Sequence, residues 1–213
     1  MDYSNKELEV KFYLAELEQL QERLNGVGAV LVQPRTYERN LRFDTPEGTL
    51  TRNAQVLRLR QDRANRLTFK GPSEVKDGVS ARTEIEFTVG NFEDAQALME
   101  ALGYQVSMIY EKYRTVYELS GTLVTLDEMP FGNIAEIEGP DGATIQAVCN
   151  QLGLRWERRS LHSYAELFEI VKKNLKLGFC DLTFENFAEI KVRASHLAIA
   201  PAEIGRASCR ERV

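Results

Sequence analysis

Cysteine and histidine are scarce in this sequence, and their spacing argues against the usual metal and disulfide frameworks. The 213 residues include three cysteines, Cys149, Cys180 and Cys209, with no CxxC pair, and two histidines, His162 and His196. A disulfide framework or a zinc site requires an even or closely spaced set. We therefore expect buried thiols, and histidines that lie at the surface or cap helices instead of binding metal.

Neither an excess of basic charge nor a long apolar run is present. The net charge is −5, whereas a general nucleic-acid binder needs a basic surface for its phosphate contacts. No apolar run approaches the roughly 20 residues that cross a bilayer, and the N-terminus lacks the basic and apolar pattern of a signal peptide. We expect a cytoplasmic monomer or homodimer that binds neither nucleic acid nor membrane.

A linker rich in proline, glycine or serine is also missing, so a single domain is expected. We assign residues 1–175 to this domain and residues 176–202 to a C-terminal extension that is packed on it or partly ordered. The last eleven residues, EIGRASCRERV, differ in composition from the rest and match the codons of a common sequencing adapter. We interpret residues 203–213 as non-native read-through and leave them out of the fold prediction.

The sequence does contain a series of short strands separated by turns. Alternation of polar and apolar residues predicts eight strands, at 6–14, 36–43, 55–61, 66–70, 80–89, 110–119, 122–128 and 133–139. Helices are predicted at 15–28, 91–104, 143–154 and 163–173, with Asn91 as one N-cap. Eight antiparallel strands with short connections favour an α+β fold, a closed eight-stranded antiparallel β-barrel with helices packed outside.

Charged residues recur at every second position of these strands. In KELEVKFYL, residues 6–14, Glu7, Glu9 and Lys11 share one face and apolar residues fill the other. Taken alone, this pattern is typical of a surface strand with a solvated outer face. The same-parity charges of all the strands are Glu7, Glu9, Lys11, Arg58, Arg60, Lys70, Arg82, Glu84, Glu86, Lys112, Arg114, Asp127, Glu136 and Glu138.

The helices indicate which face of the barrel is charged. Their apolar faces are formed by Leu17, Leu20 and Leu24 in the first helix and by Leu98, Met99 and Leu102 in the second. Such faces need an apolar partner, and the outer wall of the barrel is the one available. The charged residues are then expected to line the lumen, which is the space that the barrel encloses.

A lumen lined with charge is costly unless it surrounds a charged ligand, because an uncompensated buried ion costs several kcal/mol. Clusters of Arg and Lys suit phosphate oxygens. Pairs of Glu at i and i+2 suit a hard divalent cation such as Mg²⁺ or Mn²⁺. Both together predict a metal-bound polyphosphate as the ligand.

Seven blocks of the sequence carry a resemblance to a known family. ELEVKF resembles the ExExK signature of the CYTH superfamily, also called triphosphate tunnel metalloenzymes, and LRLR, LTFKGP, RTEIEF, EKYR, LDEMPFGNIAEIEG and SYAELF resemble its later blocks in order. The similarity covers residues 6–172. This family includes class IV adenylyl cyclases, thiamine triphosphatases and inorganic triphosphatases. The resemblance implies an eight-stranded tunnel that binds a small-molecule triphosphate with Mg²⁺ or Mn²⁺.

The resemblance also implies a role for individual residues. It makes a triphosphate clamp of Lys11, Arg58, Arg60, Lys70, Arg82, Lys112 and Arg114. It makes metal ligands of Glu7, Glu9, Asp127, Glu136 and Glu138, and catalytic residues of Glu7, Glu9, Lys11 and Lys112. Glu84 and Glu86 either support the metal ligands or form compensating ion pairs inside the lumen.

Some positions remain open at this stage. TYERNLRFDTP has Arg42 where the family more usually has an aromatic residue, so either Arg39 or Arg42 reaches the lumen. Three lysines at the end of the last predicted helix and just after it either form a solvated helix end or close over the tunnel mouth, namely Lys172, Lys173 and Lys176.

Two reactions fit the same predicted site. In a triphosphatase, water attacks the terminal phosphorus, whereas in a cyclase the ribose 3′-oxygen of ATP attacks the α-phosphorus and pyrophosphate leaves. The complete LRLR and RTEIEF blocks favour hydrolysis, since class IV cyclases tend to place an acidic residue after LR and to lack the second acidic strand. A third hypothesis, a non-catalytic polyphosphate or nucleotide sensor, would be marked by the loss of a metal-binding carboxylate, and none is missing.

Overall fold

The computed structural model describes residues 6–202, so that residues 203–213, with Cys209, lie outside the described part. The described strands are β1 Lys6–Leu14, β2 Val30–Asp44, β3 Val56–Gln61, β4 Asn65–Lys70, β5 Glu74–Lys76, β6 Val79–Val89, β7 Gln105–Leu119, β8 Thr122–Met129 and β9 Gly132–Glu138. The described helices are α1 Glu18–Gly26, α2 Thr49–Arg52, α3 Phe92–Ala101, α4 Gly142–Gln151 and α5 Tyr164–Leu175. None of these helices is long and apolar enough to cross a membrane.

Eight antiparallel strands close into a ring, which confirms the predicted α+β fold. The order is β1-β9-β8-β7-β2-β3-β4-β6, and β6 pairs back with β1. The unpredicted strand β5 has three residues and pairs only with β6 among the described strands. The ring is uneven because β2 and β7 have 15 residues each, while β3 and β4 have six. The long β2–β7 pair also contains three register shifts, which bend and twist strands locally.

The apolar face of the strands lies on the outside of the ring, as predicted. Val10 and Phe12 on β1 are fully buried and belong to one core cluster with Leu20 of α1 and Ile145 of α4. Lys11, between them in sequence, points the other way because successive residues of a strand face opposite sides. The helices therefore cover the outer wall and leave the charged residues in the lumen.

The predicted apolar face of α3 was right for Met99 and wrong for Leu98 and Leu102. Leu98 and Leu102 are more than half exposed, whereas Phe92, Ala95 and Met99 face the outer wall of the ring. The aromatic ring at the start of the helix determines its rotation, and positions i+3 and i+7 then share its face. Asn91 caps this helix as predicted, since its side chain accepts a hydrogen bond from the backbone of Asp94.

Helix α5 and the residues after it cover one end of the ring. The helix begins with a capping box between Ser163 and Glu166. Phe168 of α5 packs in one cluster with Leu182 and Phe187 of the segment that follows, and Leu182 bridges to Tyr110 of β7. The extension described here thus contacts the ring, while its division from the tunnel domain at residue 175 stays a prediction.

The cysteine prediction holds for one residue and fails for another. Cys149 on α4 is buried, as expected, whereas Cys180 is exposed. Cys180 lies in the irregular segment after α5, where no helix or strand covers its side chain.

The helices bury some side chains of the outer wall and leave others exposed. Two phenylalanines on that wall should therefore differ sharply in their contribution to stability. Phe12 is fully buried and Phe87 is 54% exposed. We expect Phe12→Ala to lower the free energy of unfolding by roughly 3–5 kcal/mol through loss of burial and a residual cavity. Phe87→Ala should cost about 1 kcal/mol or less. Urea denaturation followed by circular dichroism measures both, and equal losses would contradict the assignment of the wall.

Candidate active site

The lumen contains a cavity of about 720 Å³ whose wall is formed mainly by charged side chains. These side chains come from alternate residues of the ring strands, which share one face. Every sequence-predicted site residue except Asp127 lines the cavity, namely Glu7, Glu9, Lys11, Arg58, Arg60, Lys70, Arg82, Glu84, Glu86, Lys112, Arg114, Glu136 and Glu138. The structure thus brings them together, while their roles toward metal or phosphate stay predictions.

Lys11 lies between two carboxylates of neighbouring strands. Its Nζ contacts the carboxylate of Glu9 on the same strand and lies 3.1 Å from Glu136 Oε2 on β9. Burial alone would lower the pKa of Lys11, but the charges of Glu136 and Glu9 outweigh this effect and raise it. Lys11 is therefore positively charged at any physiological pH.

Asp127 lies beneath the cavity wall and is saturated with donors. Lys112 Nζ donates to its Oδ2 at 3.1 Å, Arg114 donates from Nε and Nη2 at 2.7 and 2.6 Å, and the Tyr164 hydroxyl donates at 2.5 Å. The carboxylate is fully buried. Asp127 is thus the common partner of three side chains that do line the cavity, and two of them, Arg114 and Tyr164, also contact Glu136.

Glu84 and Glu86 contact the basic residues, which matches the ion-pair alternative. Glu84 Oε2 lies 2.9 Å from Lys70 Nζ, which also lies 2.6 Å from Glu7 Oε2. Glu86 Oε1 lies 3.0 Å from Arg60 Nη2. These carboxylates hold the clamp residues of β3 and β4 in place.

Glu38 is a buried acidic residue of the lumen that the sequence did not reveal. Its carboxylate lies 3.5 Å from Lys112 Nζ and 4.0 Å from Arg60 Nη1. Burial alone would raise the pKa of Glu38, but Lys112, Arg114 and Arg60 hold it well below its usual value. Its parity with Asn40 on β2 could have identified it, but Arg39 between them weakens the alternation of that strand.

Arg42, and not Arg39, lines the cavity within the described part of the chain. The guanidinium of Arg39 instead lies 5.9 Å from the centre of the Phe92 ring.

Tyr110 and Tyr164 also line the cavity and were not predicted as site residues. Their hydroxyls contact Arg58 and Asp127, respectively.

Glu138 differs from the other lumen carboxylates because no basic side chain of residues 6–202 pairs with it. It lies directly opposite Glu9 in the β1–β9 register. Burial raises the pKa of Glu138, and the nearby negative charges of Glu7, Glu136 and Glu9 raise it further, to about 7. A carboxylate in such surroundings attracts a cation.

Three buried guanidinium groups of the wall also have unsatisfied donors. The Nε–H groups of Arg58, Arg60 and Arg82 form no hydrogen bond among the described residues, although Arg60 Nε lies 3.5 Å from Asp62 Oδ2 and Arg82 Nε lies 3.4 Å from Glu7 Oε2. Buried donors are nearly always paired in native proteins, so these point to an acceptor that belongs in the lumen. The described residues also contain no group of three Asp, Glu, His or Cys side chains already arranged as a metal cage.

Two further predictions concern residues outside the cavity wall. Lys172 pairs with Glu169 of its own helix at 2.9 Å, which matches a helix end and not a tunnel closure. His196 accepts a hydrogen bond from the backbone of Arg193 at 3.2 Å, as a capping residue does.

Because Glu138 is unpaired, its neutralisation should stabilise the protein. The folded-state pKa of about 7 exceeds the value of about 4.3 for an unfolded glutamate. The folded state therefore binds the extra proton, and stability falls as the pH rises through this window. We expect Glu138→Gln to raise the melting temperature in EDTA, by an amount that grows between pH 5 and pH 8.

Glu136→Gln is the matched control for this measurement. Burial raises the pKa of Glu136, but Lys11 and Arg114 hold it well below its usual value, so its charge is stabilising. Its removal should lower the melting temperature at both pH values. A Glu138→Gln protein that is no more stable than wild type at pH 8 would show that Glu138 is not repelled by its neighbours.

Known proteins resemble this chain in family and fold. No curated protein matches it. Among solved structures, a conserved hypothetical protein from Pyrococcus furiosus is 26% identical, with a TM-score of 0.63 over 74% of this chain and 97% of the other. A candidate adenylate cyclase from Vibrio parahaemolyticus is 22% identical, with a TM-score of 0.69 over 76% of this chain and 97% of the other.

A protein from Hippeastrum is 20% identical, with a TM-score of 0.59 over 76% of this chain and 95% of the other. It is described as a candidate adenylyl cyclase with a dominant triphosphatase activity. At this level of identity the likeness shows a shared fold.

The family model of the CYTH domain matches residues 5–183. Since that match spans most of the sequence, this chain belongs to the CYTH domain family of triphosphate tunnel proteins.

Proposed function

We propose that this chain is a divalent-metal-dependent triphosphatase that hydrolyses the terminal phosphate of inorganic, thiamine or nucleoside triphosphate. The observation that carries this proposal is the set of N–H donors on Arg58, Arg60 and Arg82 that form no hydrogen bond with the described residues in the wall of one cavity. Burying such donors without a partner is costly. The oxygens of a phosphate chain supply the missing acceptors with favourable charge.

The basic residues of the wall are held in place before the substrate arrives. Asp127 binds both Lys112 and Arg114, and Glu38 lies between Lys112 and Arg60. Negative charge spreads over the oxygens of the transferred group during phosphoryl transfer, and preorganised cations stabilise it without further rearrangement. The acidic residues thus contribute to the reaction indirectly, by fixing the clamp.

We propose that the carboxylates of β1 and β9 hold Mg²⁺ or Mn²⁺, with Glu7, Glu9, Glu136 and Glu138 as the ligands. Glu138 fits a cation because its charge is unpaired and repelled by its neighbours. Carboxylate oxygens are the ligands that these hard ions prefer. When bound, the ion supplies charge neutralisation and polarises phosphoryl oxygens. Asp127, whose oxygens are already engaged by three donors, serves the clamp instead.

The composition of the wall supports hydrolysis over cyclisation of ATP. The larger aliphatic residues are a minority of the cavity lining beside its charged side chains, namely Val32, Val56, Met108, Val116 and Leu123. An adenine ring is best bound by an aromatic or apolar slot. The two lining tyrosines direct their hydroxyls to charged partners. A clamp of basic side chains binds the phosphate oxygens of the substrate. It is therefore expected to discriminate weakly among the groups that are attached to the triphosphate.

The products of the reaction test this proposal. With Mg²⁺ or Mn²⁺, we expect orthophosphate from inorganic triphosphate and from ATP, with little cyclic AMP. Phosphorus NMR and chromatography of the nucleotides resolve orthophosphate, pyrophosphate and cyclic AMP in one reaction. Cyclic AMP with stoichiometric pyrophosphate from ATP, and no orthophosphate from inorganic triphosphate, would establish the cyclase instead. No product from any triphosphate would favour a binding module.

The variant Glu138→Gln tests the proposed metal site in the same assay. It removes one proposed metal ligand and is expected to raise stability, so any loss of activity does not arise from unfolding. We expect turnover to fall by at least about a hundredfold, as for loss of one group that stabilises the transition state. Activity at the wild-type level with saturating metal would exclude Glu138 from the metal site.

A further inference from the structure

One guanidinium group in the lumen has no counter-ion among the described residues. The clamp arginines each contact a carboxylate, as in the 3.4 Å distances between Arg58 Nη2 and Glu86 Oε2 and between Arg82 Nε and Glu7 Oε2. Arg42 also lines the cavity. Within residues 6–202, its side chain forms no ion pair and no hydrogen bond. Its charge is therefore unbalanced.

The register of the strands places Arg42 beside the predicted clamp. Arg42 lies directly opposite Arg58 of β3 and Met108 of β7. Met108 packs against the apolar cluster that α5 and the C-terminal segment form over one end of the ring. Arg42 thus lies in the lumen toward the covered end, with other arginines as its neighbours.

The surroundings of Arg42 are electrostatically unfavourable to its charge. Burial lowers the pKa of Arg42, and the positive charges of Arg82 and Arg58 lower it further, against the opposing influence of Tyr110 and Asp44. A guanidinium in this environment gains from any anion that enters the lumen.

The carboxylate whose charge acts on Arg42, that of Asp44, is already engaged elsewhere. The Asp44 carboxylate accepts hydrogen bonds from the backbone N–H groups of Thr45, Leu50 and Thr51, at 2.8, 2.8 and 2.9 Å. These hydrogen bonds fix the start of the turn before α2 and the residues Leu50 and Thr51 of α2. Asp44 therefore does not supply a hydrogen-bonded partner for Arg42.

We propose that Arg42 completes, together with Arg58 and Arg82, a pocket that binds the terminal, unesterified phosphate of the substrate. This inference rests on the proposed function and adds to it the position of one phosphate. The Nε–H groups of Arg58 and Arg82 form no hydrogen bond among the described residues, although Arg82 Nε lies 3.4 Å from Glu7 Oε2, and the guanidinium of Arg42 forms neither a hydrogen bond nor an ion pair with them. A terminal phosphate carries close to two negative charges near neutral pH, whereas an inner phosphate carries one. Three guanidinium groups match the terminal group best.

The affinity of the full chain for inorganic triphosphate tests the pocket. Isothermal titration calorimetry in EDTA reports binding without metal-dependent turnover. We expect Arg42→Met, which keeps the length of the side chain but loses its charge, to weaken binding by about tenfold or more, as for one lost charge-assisted contact. Arg42→Lys should recover part of the affinity, since it restores the charge without the planar fork. Arg39→Met, on the same strand, should bind like wild type.

The γ-methyl ester of ATP tests which phosphate is bound, because the ester removes one charge from the terminal group. Wild type and Arg42→Met should differ much less for this ester than for ATP. Equal affinity of wild type and Arg42→Met for inorganic triphosphate would overturn the pocket. An equal loss for ATP and its ester would overturn the assignment to the terminal phosphate. A wild-type chain that binds triphosphate through Arg42 but releases no orthophosphate would support the pocket and contradict the triphosphatase.

Discussion

Electrostatic balance inside a closed ring of strands is the constraint on which the rest of this structure depends. A charged group removed from water costs several kcal/mol unless an opposite charge lies close to it. The lumen meets this requirement through pairs such as Lys11 with Glu136 and Lys112 with Asp127. Glu138 and Arg42 are the exceptions among the charged residues of the wall. An unpaired carboxylate and an unpaired guanidinium in one cavity suit a ligand that carries both a metal ion and phosphate groups.

The arrangement of the helices follows from the same constraint. Because the charged faces of the strands meet in the lumen, their apolar faces form the outer wall, and α1, α3 and α4 cover it. Helix α5 connects the fold directly to the site. Its first residue, Tyr164, places its hydroxyl oxygen 2.5 Å from Asp127 Oδ2 and 3.1 Å from Glu136 Oε2, and donates its one hydrogen to the nearer carboxylate, that of Asp127. Burial and these two carboxylates raise the pKa of Tyr164, so its hydroxyl remains a donor.

Much of the lumen could be predicted from the sequence because the period of two along a strand does not depend on which strands are neighbours. The clamp residues of β3, β6 and β7 are examples. Glu38 and Arg42 were harder to assign because charged residues on both faces of β2 obscure its alternation, and only the register with β3 shows which side faces inward. The rotation of α3 depends on where Phe92 docks, so Leu98 and Leu102 were misassigned. Strand β5 is too short for any period to show.

The most direct test of the central claim is a crystal structure of the chain soaked with Mn²⁺ and a non-hydrolysable triphosphate. Anomalous scattering identifies manganese independently of the phosphate density. We expect a manganese peak beside Glu138 and a phosphate chain within hydrogen-bond distance of Arg58, Arg82 and Lys112. Manganese and phosphate bound only outside the ring, with the pairs of the lumen unchanged, would contradict the account.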